Sequence, residues 1–125
     1  MNPILLHIGS TKTGTSSLQR FLTDNAGQLR QRGVVYPISG RRATGQIAHH
    51  NLCYENQSGR LESGKFQPQV GTWADALQEI DESSASLGII SSEAFMNCRP
   101  HQVPLFYDVL RGREVRVVAA LHSCS

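Results

Sequence analysis

The stretch Ile4-Leu5-Leu6-His7-Ile8-Gly9-Ser10-Thr11-Lys12-Thr13-Gly14-Thr15-Ser16-Ser17-Leu18-Gln19 decides how the chain is read, because an apolar strand, a glycine-bounded bend and a helix start follow one another directly. Ile4 to Ile8 is short, apolar and β-branched at both ends, the pattern of a strand buried in a parallel sheet. Gly9 and Gly14 permit close backbone approach, and the helix beyond them offers the unpaired N–H groups of its first turn. Thr13, Thr15 and Ser16 add hydroxyls, so the bend is predicted to hold a phosphate or sulfate. Thr15 or Ser16 is expected to cap the helix, Ser16 and Gln19 fit a capping box, and Leu18, Phe21, Leu22, Ala26 and Leu29 fall at helical spacing.

The ordinary triphosphate loop, G-x-x-x-x-G-K-[ST], has its lysine directly after the second glycine and a hydroxyl that ligates magnesium. Here Gly9 and Gly14 keep the glycine spacing, but Thr15 stands at the lysine position and Lys12 lies inside the bend. A metal-dependent ATP or GTP reading loses its key cation.

The order H-I-G-x-x-K-T-G-T-[ST]-S-L-Q, from His7 to Gln19, resembles the 5′-phosphosulfate loop of the sulfotransferases, which use 3′-phosphoadenosine 5′-phosphosulfate as donor. The resemblance implies a P-loop nucleotide-binding fold, no metal, and a donor site made by Gly9, Thr11, Lys12, Thr13, Gly14, Thr15 and Ser16. Lys12 is assigned to the leaving-group oxygen, where an ammonium can follow developing charge. The plain alternative is a solvated loop lysine and a tight turn.

Working outward, Gly33 reads as a helix stop and Val34-Val35-Tyr36 as a short second strand. Residues 39 to 72 are polar and glycine-rich, so loops are expected, with a helical turn near Ile47 to Tyr54; so long an irregular stretch suits a binding or lid region. Trp73, Leu77 and Ile80 predict a helix over 72–83, and Leu87 to Ser91 reads as a buried strand. A helix over 102–111, with Val103, Phe106, Tyr107 and Leu110 on one stripe, precedes Gly112 and a strand over 115–121. Strands alternating with helices predict an α/β fold: a three-layer parallel sheet with right-handed crossovers.

For the base that takes the acceptor's proton, His50 is the first choice. His49-His50-Asn51-Leu52 resembles a His-containing segment of bacterial sulfotransferases, and an imidazole titrates near neutrality. Glu93 is its rival, since some sulfotransferases use glutamate. Ser91-Ser92-Glu93 resembles a family feature lining the acceptor side of the cleft, although a strand end whose polar groups cap a turn would read the same way.

With 125 residues, one domain spanning 1–125 is expected. A net charge of +2 is too small to argue for nucleic-acid binding. No apolar run of membrane-spanning length and no secretory signal is present, so a cytoplasmic protein is expected. Three dispersed cysteines and five histidines without chelating spacing indicate neither a disulfide framework nor a metal site. The resemblance runs from Ile4 to about Leu121, where family members continue into an arginine and a serine that grip the donor's 3′-phosphate; this chain reads His122-Ser123-Cys124-Ser125 instead. A sheet incomplete at its C-terminus, an amino-terminal fragment inactive by itself, and self-association through the exposed sheet edge are therefore expected. Two other readings stand beside the sulfotransferase: a P-loop nucleotide kinase or hydrolase, and a noncatalytic anion-binding domain.

Overall fold

The computed structural model describes residues 1–9, 15–41, 47–57, 59–97 and 102–119. Four strands, β1 (Ile4–His7), β2 (Val34–Val35), β3 (Leu87–Ser91) and β4 (Val115–Val118), form one sheet in the order β2-β3-β1-β4. Every pairing is parallel, in keeping with the expected α/β class. Helices α1 (Thr15–Asp24) and α2 (Ala26–Gln31) connect β1 to β2, α3 (His50–Glu55) and α4 (Trp73–Glu82) connect β2 to β3, and α5 (Val103–Val109) connects β3 to β4. Short 3-10 turns cover Pro68–Val70 and Glu93–Asn97.

The pleat sends alternate residues of the two central strands to opposite faces. Ile4 and Leu6 of β1 and Ile90 of β3 share one buried cluster with Trp73, Ala76 and Ile80 of α4 and with Leu110 just past α5. His7 and Ser91, paired across the two strands, turn to the other face, where Gln19 of α1 meets them. At Gly88 the strand and α4 come so close that an added Cβ would lie 2.6 Å from Ile80 Cδ1. Gly33 and Gly112 end α2 and α5 with φ of 87° and 89°, so the two glycine stops read from sequence hold.

Several local expectations change. The single helix expected after the bend is two, broken at Asn25. Thr23 Oγ1 donates to the Gln19 carbonyl and Asn25 Nδ2 to the Phe21 carbonyl, polar side chains competing for helical backbone at the break. The buried face of α1 is Gln19 and Leu22, whereas Leu18 and Phe21 are exposed. Because α1 begins at Thr15, Ser16 sits within its first turn, and the Gln19 amide is directed to Ser91 and Glu93 rather than into a capping box. The capping box that does form is on α4, between Thr72 and Asp75. On α5 the inward residues are Phe106, Val109 and Leu110, with Val103 and Tyr107 exposed.

The described residues of the 39–72 stretch carry more structure than their composition predicts. Asn51 donates to the carbonyls of Gln67 and Gly71 and accepts from the Gln67 N–H, and the buried Trp73 indole donates to the Leu52 carbonyl. These bonds satisfy loop backbone that would otherwise be buried unpaired. Among the described residues β4 is an edge strand, with Val117 and Val118 exposed, and no helix is long and apolar enough to cross a membrane.

Gly88→Ala is expected to cost about 1–3 kcal/mol by overpacking β3 against Ile80. Gly27→Ala, which adds a Cβ with nothing within 4 Å, is expected to be neutral or to stabilise by up to about 1 kcal/mol. Urea denaturation of the two variants measures both.

Candidate functional site

The polar groups converge where α/β sheets bind ligands. After β1 the chain runs toward β2 at one edge of the sheet, and after β3 it runs toward β4 at the other. The C-terminal ends of the adjacent β1 and β3 therefore flank a point where the connections diverge. Gly9 is buried just past β1, and α1 begins at Thr15. Thr11, Lys12, Thr13 and Gly14 lie outside the described residues, while Thr15 and Ser16 open α1.

His50 and Glu93, rivals in the sequence reading, are neighbours here. His50 Nε2 is 3.6 Å from Glu93 Oε1, with the two side chains 25% and 20% exposed. That separation is an ion-pair contact, too long for a direct hydrogen bond. On its other side His50 Nδ1 is 2.6 Å from Ser92 Oγ, which also accepts the Ala94 N–H. Ser92 and Glu93 flank His50 with the ring nitrogens the reverse of a serine hydrolase triad, and Ser92 has no exposed surface. A nucleophile must reach its substrate, so Ser92 serves to orient the imidazole.

Behind this pair lies a second layer. Gln19 Nε2 donates to Glu93 Oε2 and to Ser91 Oγ, each at 3.0 Å, and Ser91 Oγ is 2.8 Å from His7 Nδ1. Burial pushes the His7 pKa below its ordinary value, against the pull of Glu93, which leaves the ring neutral at pH 7. Burial likewise raises Tyr36, whose hydroxyl donates to the Ile47 carbonyl.

His49 is a fixed strut. The Ser91 N–H donates to its Nδ1 at 3.0 Å, so Nε2 carries the proton and donates to the Pro37 carbonyl at 2.8 Å. Its own N–H donates to the Ser91 carbonyl at 2.7 Å. With both ring nitrogens committed and no exposed surface, it ties the end of β3 to the segment after β2. Complete burial pushes its pKa down to about 3, against the hydrogen bond to Pro37.

No family model matches the chain, and no curated protein or solved structure matches it either. The site therefore rests on its own geometry and on the sequence motif. An apolar cleft of about 510 Å³ opens on the α5 side, lined by Leu6, Ile8, Phe95, Phe106, Leu110 and Val117 among others, and reaches the site's margin at Ile8 and Phe95. The sequence named His50 and Glu93 but missed Gln19 and His7 as members of the cluster. The signal for both was present: each is a polar residue in a segment whose neighbours read as buried.

Because the folded His49 pKa lies below its unfolded value of 6.5, its contribution to stability is present above pH 6.5 and lost as pH falls toward 3. At pH 5 the loss is about 2 kcal/mol. His49→Gln, which cannot ionise, should destabilise at pH 7, with its deficit relative to wild type shrinking by about that amount at pH 5. Denaturant titrations at the two pH values check this; a constant deficit would contradict it.

Proposed function

We propose that the chain carries the donor-binding bend of a sulfotransferase-like P-loop-type domain, which binds 3′-phosphoadenosine 5′-phosphosulfate at residues 9–16 for transfer of the sulfonate group to a hydroxyl or amine acceptor. The sequence motif is supported by one observation: β1 ends at His7, α1 starts at Thr15, and Gln19 of α1 donates to Glu93, whose carboxylate lies 3.6 Å from the partly exposed His50.

Gly9, Thr11, Thr13, Gly14, Thr15 and Ser16 hold the donor's 5′ end through backbone N–H groups and hydroxyls, as the sulfotransferase resemblance implies. Lys12 neutralises the departing phosphate oxygen. The bound donor supplies the activated sulfur. His50 and Glu93 act as one unit: together they orient the acceptor hydroxyl or amine and take its proton. The acceptor's oxygen or nitrogen bonds to sulfur as the bridging S–O bond breaks, and that bond's electron pair leaves with the 5′-phosphate. A cytoplasmic setting and metal-free chemistry belong to the same reading.

The rivals differ in what they bind. Calorimetry should show adenosine 3′,5′-bisphosphate binding without magnesium, weakened about tenfold or more by Lys12→Ala through loss of a charge-assisted contact. Magnesium-dependent ATP binding in its place would favour a nucleotide kinase or hydrolase, and binding of neither nucleotide a noncatalytic domain.

A further inference from the structure

Gln19 is almost wholly buried, at 1% exposure, yet its position on α1 is where an apolar residue would serve packing better. Its amide is committed at both hydrogens. One goes to Glu93 Oε2 and the other to Ser91 Oγ. The carboxylate partner settles the amide's orientation, since an amide oxygen turned toward Glu93 would set two acceptors against each other. Ser91 is in turn immobilised, its N–H and carbonyl both bonded to His49 and its hydroxyl to His7. One oxygen of Glu93 is thus anchored to a rigid part of the sheet, and the other is left directed at His50 Nε2.

From this geometry we infer that Gln19 is a positioning residue, which fixes the Glu93 carboxylate opposite His50 and ties that pair to the helix leading out of the 9–16 bend. Gln19 lies on α1 about one turn after Thr15, so the helix that opens at the anion-binding bend also aims the proton-accepting pair. Its role in transfer rests on the function proposed above, while the positioning itself does not. A polar bridge of this kind keeps reacting groups in register, and misplacing such groups by about 1 Å can cost on the order of 10²-fold in rate.

The test is the NMR signature of the His50 ring nitrogens in the full chain. Glu93→Gln should shift both 15N resonances. Gln19→Met, close in size but without donors, should shift them in the same direction, and the double variant should match Glu93→Gln alone, because Gln19 reaches His50 through Glu93. Gln19→Asn, which keeps the amide but shortens its reach, is read by the same criterion if Gln19→Met does not fold. Wild-type His50 resonances in the folded Gln19 variant, none moved by Glu93→Gln, or additive shifts in the double variant would each overturn the inference. Calorimetry of the wild-type chain with adenosine 3′,5′-bisphosphate decides the parent reading separately: no binding would fail that reading and leave the NMR criterion intact.

Discussion

The pairing of His7 with Ser91 across the parallel strands β1 and β3 is the constraint on which the rest of this molecule depends. It fixes the register of the two central strands, and with it the alternation that sends Ile4, Leu6 and Ile90 into the α4–α5 core. A slip of one residue would exchange the faces, burying the two polar groups in that apolar core. His49 reinforces the register from the side by bonding both backbone polar groups of Ser91. The site at the strand ends is consequently built on the most constrained part of the sheet.

Burying so many polar side chains is costly unless each finds partners. His7, Gln19, His49, Ser91 and Ser92 are all nearly or wholly buried, and each makes a hydrogen bond within the cluster. A satisfied network of this kind holds its members in a single arrangement, which is what a site needs from its supporting residues. The apolar face does the opposite work: its Trp73, Phe95 and Phe106 rings pack edge to face and tilted, supplying burial without chemistry.

The strand from Ile4, the helices α4 and α5 and the glycine stops at 33 and 112 were legible in the sequence, because each depends on local patterning. What depended on tertiary neighbours was not. Leu18 and Phe21 have helical spacing but face solvent, because the partner of α1 at the strand ends is polar and draws Gln19 inward. The break at Asn25 is accompanied by side-chain bonds to carbonyls one turn back, which a hydrophobic period does not register. His50 and Glu93 read as alternatives because no local pattern reveals a contact across 43 positions. The tie between α3 and residues 67–71 was hidden for the same reason, since Asn51 makes it through bonds to residues sixteen and twenty positions away.

The proposed site for an anionic nucleotide lies where β1 passes into α1, beside the His50–Glu93 pair. Chemical-shift mapping on isotopically labelled protein, titrated with adenosine 3′,5′-bisphosphate, tests it most directly. The largest shifts are expected on the amides of residues 9–19 and on the side chains of Gln19, His50 and Glu93. Shifts centred on the apolar cleft between α5 and β4, or none at saturating nucleotide, would contradict it.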